Sequence, residues 1–353
     1  MQNRKTKETL SSKPDGISVV VCTYNGKDKL EATLQSIFQQ KTNKELLWEV
    51  LVIDNASSDG TKDFCIELRN KLNFTGSFKV LLESNPGLNN ARIKGLAESK
   101  YNWILFCDDD NHLFDNYVQN GFNIISKNDS IGALGGMGLP IFESEKPEWF
   151  DQYYHSYAVG TQNATNGRIL SNNPEVYGAG CFFYKLALQK IFATGFQTIM
   201  SDRKGKSLSS GGDVEWCYLI HLMRYEIWFS DELKFHHLIP ASRITWSYYL
   251  KLKSGIASGS ALLFPYMFTF KNDKASSTLY LIKFLQKLLT YNFINFLHFS
   301  KIIFRKRKIT NRSEELGYLI LKAKAKSYRK NILMSLIHYK AIKLLQGKLK
   351  IML

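Results

Sequence analysis

The stretch Trp103-Ile-Leu-Phe-Cys-Asp-Asp-Asp-Asn111 joins an apolar run to three consecutive carboxylates. A short run of large apolar residues bounded by polar ones reads as a strand buried on both faces, as in the middle of a parallel sheet. The carboxylates then lie at its C-terminal mouth, the edge at which open α/β sheets bind ligands. Strand alternation predicts Asp108 and Asp110 on one side and Asp109 on the other. Two carboxylates aimed at one spot repel each other unless a cation sits between them, and hard oxygen donors suit Mg²⁺ or Mn²⁺. The same residues also suit a polar turn that closes a core strand.

Upstream, apolar runs again end in polar turns. Residues 17–22 form a β-branched run closed by Thr23-Tyr-Asn-Gly26, and Leu30, Leu34, Ile37 and Phe38 then mark one stripe of a helix. Residues 48–53 predict a second strand, ending in Asp54-Asn-Ala-Ser-Ser-Asp-Gly60 before a helix with Phe64, Leu68 and Leu72. Residues 78–82 predict a third, followed by Asn85-Pro-Gly87 and a short helix through 91–97. This alternation of strand and helix predicts an α/β fold with a mostly parallel, Rossmann-like sheet flanked by helices.

Downstream the pattern loosens. Residues 131–138 and 176–184 are glycine-bearing apolar segments, expected as strands that another backbone or a ligand approaches closely. Between them, 142–173 is polar and aromatic without a clear period, and irregular connections of that length are usually functional or mobile. Residues 201–212 read as a flexible loop, 213–223 as a helix, and 226–229 as a last strand before His236-His237. Further on, 255–270 is apolar around Pro265, 279–304 mixes Leu, Phe, Ile and Tyr with Lys283, Lys287 and Lys301, and Arg305-Lys-Arg-Lys308 follows. Residues 333–353 read as another apolar-basic helix. The expected organisation is a mobile N-terminus (1–16), one α/β domain (17–245) and a basic amphipathic helical region (246–353).

The 353 residues are 44% hydrophobic, enough for a sizeable core. The net charge of +16 is uneven: residues 251–353 hold 21 Lys/Arg against 3 Asp/Glu, and residues 1–250 the remaining 26 against 28. Basic, apolar-rich segments broken by charges tend to lie in a membrane interface rather than cross it, and a solvated basic face on a helical subdomain is the other reading. No stretch reaches the ~18 uninterrupted apolar residues of a membrane span. Residues 1–16 lack an apolar core, so no secretory signal is expected. Five scattered cysteines without a Cys-x-x-Cys pair read as reduced core residues of a cytosolic protein.

Thr23-Tyr-Asn25, Asp54, the 85–92 segment and Asp108–Asp110 fall at the C-terminal ends of successive predicted strands, which a doubly wound sheet brings to one rim. In this order, over roughly residues 18–240, they resemble the family 2 glycosyltransferases of the GT-A fold. The resemblance implies a nucleotide-sugar donor whose base is held by Thr23, Tyr24, Asn25 and Asp54. It implies that Gly87-Leu-Asn-Asn-Ala-Arg92, with Asn89 and Arg92, approaches the ribose or phosphates. Asp108-Asp-Asp110 is similar to the family's Asp-x-Asp motif, with Asp108 near ribose and metal, Asp109 beside the donor and Asp110 on the metal. Mn²⁺ or Mg²⁺ there neutralises the pyrophosphate as it leaves.

The resemblance also implies a carboxylate base at a helix start, commonly in a Glu-Asp pair. The match is Gly211-Gly-Asp-Val-Glu215, with Gly212 where Glu often stands; Asp213 is the expected base and Glu215 the reserve. A helix N-terminus favours an ionised carboxylate, but Asp there is also an ordinary capping residue. His236 or His237 is implied as a further metal or phosphate ligand. Gly178-Ala-Gly180 is implied near the acceptor channel, with Trp149 and Trp216 as stacking platforms or as plain core.

The expected function is metal-dependent, inverting transfer of a sugar, from a UDP-sugar first of all, to a hydroxyl of a glycan or lipid-linked acceptor in surface polysaccharide assembly. The expected place is the cytoplasmic face of an anionic membrane, docked through the C-terminal region. A nucleotidyltransferase is the first alternative, but it calls for a Gly-rich, Arg-containing loop where Thr23-Tyr-Asn-Gly26 stands. A pI near 9.4 suggests nucleic acid, yet the charge is confined to the tail and mixed with aliphatic residues, so no nucleic-acid partner is expected.

Overall fold

The computed structural model describes residues 15–200, 202, 210–304 and 311–352. The expected mobile residues 1–14, most of the 201–209 loop and the basic run 305–308 lie outside them. In chain order the elements are β1 (Ile17–Thr23), α1 (Lys27–Phe38), β2 (Trp48–Asp54), α2 (Thr61–Lys71), β3 (Ser77–Leu82), α3 (Leu88–Glu98), β4 (Trp103–Asp108), β5 (Asn111–Leu113), α4 (Tyr117–Ile125), β6 (Ile131–Phe142), α5 (Phe150–Tyr153), β7 (Gly167–Arg168), β8 (Cys181–Tyr184), α6 (Lys185–Ala193), α7 (Gly212–Leu222) and β9 (Glu226–Ile239). The C-terminal helices α8 (Trp246–Ser258), α9 (Ser260–Lys271), α10 (Ser277–Phe304), α11 (Arg312–Lys330) and α12 (Ile332–Met352) follow.

One mixed sheet runs in the order β3-β2-β1-β4-β8-β6-β9-β5, with β7 paired to β9. β3, β2, β1 and β4 are mutually parallel, as the repeated strand–helix pattern predicts. β1 is buried along its whole length, which its run of Val requires, and α3 packs so closely on it that a Cβ on Gly95 would stand 2.5 Å from Val20. Beyond β4 the sheet turns antiparallel through β8, then pairs β6 and β9 in parallel. The parallel register aligns Thr23 with Asp54 and Cys22 with Asp108, so the ends of β1, β2 and β4 form one row.

Three sequence expectations are corrected here. β4 stops at Asp108, and Asp109 and Asp110 form a turn into β5, so strand alternation does not govern the triplet. The last strand runs on to Ile239, and His236 and His237 lie inside it, held by pairing to β5 and β6. The 176–184 segment is a strand only over its last four residues.

The C-terminal helices share the core of the sheet domain. Tyr266 of α9 and Ile342, Leu345 and Leu349 of α12 are buried in the same cluster as β1 and β4. All five cysteines are free and buried, and burial pushes the Cys22 and Cys65 thiols up to about 12, so they pack as apolar groups. Among the described residues, no helix is long and apolar enough to cross a membrane.

Candidate active site

The rim starts at the end of β1. Thr23 donates from Oγ1 to Asp109 Oδ2 at 2.7 Å, tying the first turn to the carboxylate turn. Asn25, in a left-handed conformation, donates its N–H to Ser57 Oγ and accepts from Ser58 N at Oδ1, both at 2.9 Å, while Tyr24 stays exposed. Asp54 is buried, and its Oδ1 accepts from Ser57 N at 2.9 Å, an Asx-type turn that shapes the loop after β2.

Asn55 is a residue that sequence reading missed. It is buried, accepts from Gly87 N at 2.7 Å and donates to the carbonyls of Asn85 (2.7 Å) and Glu83 (3.2 Å). Its amide thereby sets the loop that opens α3. Asn89, in the first turn of that helix, donates to Thr198 Oγ1 at 3.2 Å, and its buried Oδ1 has no hydrogen-bond partner among the described residues. Arg92 is not open at the rim but closed into a buried pair, Nη1 to Asp202 Oδ2 at 2.6 Å. Burial opposes its charge, but Asp202, Asp213 and Asp108 together outweigh that and raise its pKa further. Asp202 also accepts from Gly212 N at 2.6 Å, so Arg92 reaches the start of α7 through it.

In the carboxylate turn, Asn111 braces the triplet: it accepts from Asp108 N at 3.2 Å and donates to Asp110 Oδ1 at 3.4 Å. Burial and the charge of Asp110 push Asp109 up to about 6, against the hydrogen bond from Thr23. Asp110 is buried, with Arg243 Nη1 3.0 Å from Oδ2 and His237 Nε2 3.4 Å from Oδ1. His237 Nδ1 meets the Tyr157 carbonyl at 2.7 Å, which makes Nδ1 the donor and aims Nε2 at Asp110. Burial disfavours the imidazolium, but Asp110 and Asp108 outweigh that, and the His237 pKa is raised. His236, one residue earlier on the strand, faces the other way, edge-on to Phe114 at 5.0 Å, and is not brought to the carboxylates.

Asp213 sits in the first turn of α7. Its Oδ2 accepts from Gly178 N at 2.8 Å and its Oδ1 from Val214 N at 2.9 Å. A Cβ on Gly178 would stand 2.8 Å from both Arg92 Nη2 and the Asp213 Cβ, so only glycine lets that backbone reach both side chains. Glu215, expected as the reserve base, points into the protein instead. It is 0% exposed and accepts from Ile199 N, Met200 N and Tyr266 OH at 2.6–3.1 Å. Its place two residues after Asp213 on a helix turns it onto the inner face. Trp216 is likewise core, packed edge-on to Phe106 and Phe183, and Trp149 lies in a buried aromatic cluster with Phe150, Trp246 and Tyr249, so neither is an open stacking platform.

Among the described residues no group of three or more His, Cys, Asp and Glu is arranged to hold a metal ion by itself. Asp108 and Asp110 nevertheless fit a hard cation that takes one or two carboxylates and fills its other positions with water and phosphate oxygens, the usual way Mg²⁺ is bound.

The α/β sheet, with its loops and carboxylates gathered on the C-terminal rim of β1, β2 and β4, has the GT-A arrangement, and two solved structures share the fold. They are TarS 1–349 from S. aureus, solved in complex with UDP-GlcNAc (TM-score 0.52, 13% identity, 93% of this chain and 90% of that one), and the mannosyltransferase PcManGT from Pyrobaculum calidifontis, solved with GDP-Man and Mn²⁺ (TM-score 0.53, 15% identity, 95% and 88%). Residues 18–192 match the model of Glycosyl transferase family 2, and that segment is a family 2 glycosyltransferase domain. Among curated relatives, the poly(ribitol-phosphate) beta-glucosyltransferase of Bacillus spizizenii is 26% identical over 215 residues, 58% of this chain and 32% of the relative. The matches span between 25% and 37% of the length of such relatives.

Proposed function

We propose that this chain transfers a sugar from a nucleotide-sugar donor, a UDP-sugar first of all, to a hydroxyl of a glycan or lipid-linked acceptor, with inversion and with a divalent cation. The observation that carries the reading is the carboxylate turn Asp108–Asp110 at the strand rim together with Asp213 at the start of α7, the two linked electrostatically by Arg92. In this reading the Thr23–Asn25 turn and the Asp54 loop form the wall for the base. Asp213, oriented by Gly178 N and Val214 N, takes the proton of the acceptor hydroxyl as that oxygen attacks the anomeric carbon and the bond to the diphosphate breaks. Asp108 and Asp110 would hold a Mn²⁺ or Mg²⁺ ion, which would supply neutralising charge for the departing diphosphate. Arg92 acts through Asp202 and the glycine backbone to keep Asp213 in place. The donors in the two solved neighbours and the polymeric acceptor in the B. spizizenii relative's name support the substrate classes. Incubation with a panel of UDP-, GDP- and dTDP-sugars is expected to release nucleoside diphosphate from one donor and to give a product of inverted anomeric configuration by NMR; retention would contradict the role given to Asp213.

The same reading places the enzyme on an anionic membrane surface, at its cytoplasmic face, through the C-terminal helices. α10 buries Tyr280 and Phe284 against the body, yet on its outer side exposes Ile282, Leu285, Leu289, Phe293 and Phe296 beside Lys283 and Lys287. On α12, Leu333, Ile337, Leu344 and Ile351 are exposed in a row with Lys340 and Lys348. An apolar outer face needs a cover, and a second copy would bring the same basic region against itself, whereas acidic headgroups complement it. The full chain is expected to float with phosphatidylglycerol vesicles, and Leu289→Glu with Phe293→Glu to lose most of that binding. Undiminished flotation of the double variant would remove the docking claim.

A further inference from the structure

Arg243 follows β9 in a short 3₁₀ turn, and its backbone is pinned by Tyr157 OH, which donates to the Arg243 carbonyl at 2.9 Å. Its guanidinium lies 3.0 Å from Asp110 Oδ2, on the carboxylate that the proposed function gives to the cation. The Arg243 side chain is partly exposed and the Asp110 side chain is nearly buried. Asp110 Oδ1 is already addressed by His237 and Asn111. A divalent cation at Oδ2 and the Arg243 guanidinium oppose each other, because two cations at contact distance from one carboxylate repel.

We infer that Arg243 binds the donor's diphosphate: cation arrival at Asp110 frees the guanidinium, which turns about its pinned backbone onto the phosphate oxygens that arrive with the cation. A planar fork of donors suits two phosphate oxygens at once, which a lysine ammonium matches only as a point charge. Arg243 thus guards Asp110 before the donor binds and holds the diphosphate afterwards. The inference rests on the reading of Asp110 as the cation's carboxylate.

Calorimetry on the full chain separates the two claims. Wild type is expected to bind UDP only with Mn²⁺. Arg243→Gln, with its melting temperature checked against wild type, is expected to bind Mn²⁺ alone at least threefold tighter, because the competing cation is gone. The same variant is expected to bind Mn²⁺–UDP about tenfold or more weakly while uridine binding stays within twofold, a selective loss of the kind a lost charge-assisted contact gives. Arg243→Lys should recover part of the UDP affinity. If Arg243→Gln changes neither Mn²⁺ nor UDP binding, or weakens uridine and UDP equally, the inference is overturned and Arg243 is a structural partner of Asp110. Absence of Mn²⁺-dependent UDP binding by wild type would overturn the reading of Asp110 itself, and the inference with it.

Discussion

Asp213→Asn is expected to lower turnover by about 10²–10⁴-fold, the range for removing a general base, while donor affinity stays within about twofold. The substitution is nearly isosteric. The amide oxygen can still accept from Gly178 N or from Val214 N, so the start of α7 keeps one of its two bonds, but an amide cannot take the acceptor's proton. A kcat effect without a KM effect is the signature of an interaction made in the transition state. An equal loss of donor binding would instead make Asp213 a part of the donor pocket, and unchanged turnover would move the base elsewhere.

Glu215→Ala, two residues further on, is expected to give the opposite signature: a destabilisation of about 3–5 kcal/mol, with the melting temperature falling by roughly 10 °C, whatever the substrate. The carboxylate collects Ile199 N, Met200 N and the Tyr266 hydroxyl, with His338 Nε2 3.5 Å away, and Met200, Tyr266 and His338 are buried from water. Burial and the Glu215 charge hold the Tyr266 phenol well above its usual pKa, so it remains a donor. Through these bonds α7 is fastened to α9 and α12, and the C-terminal helices become part of what holds Asp213 in place. Thermal unfolding of Glu215→Ala and Glu215→Gln checks this; a melting temperature within a degree or two of wild type for the alanine variant would mean that the clamp contributes little.

Local pattern made the first half of the sheet legible. β1, β2 and β4 are short apolar runs with a polar stop, the pattern of a parallel strand buried on both faces, while β3 is the half-exposed edge. Thr23, Asp54 and Asp108 could be placed on one rim because parallel strands share an end. What failed to show was whatever depended on partners far along the chain. Asn55 reaches Gly87, Arg92 reaches Asp202 and Asp110 reaches Arg243, and nothing near any of these residues announces its partner. Strand alternation does not account for Asp109 and Asp110, because β4 ends at Asp108 and the two lie in the turn before β5. The tail read as basic and apolar, but the burial of Tyr266, Ile342 and Leu345 in the sheet's own core could be seen only once the helices were folded back onto it.

The central claim is that the Asp108–Asp110 rim and Asp213 together move a sugar from a nucleotide donor with help from a divalent cation. Nucleoside diphosphate release from the donor panel, in wild type with and without a chelator and in Asp110→Ala, tests it most directly. One donor turned over with Mn²⁺ or Mg²⁺, and silent on chelation and in the variant, is the predicted result. Turnover that survives both chelation and Asp110→Ala would contradict it, because the carboxylate turn would then be a brace for the sheet edge rather than the seat of the chemistry.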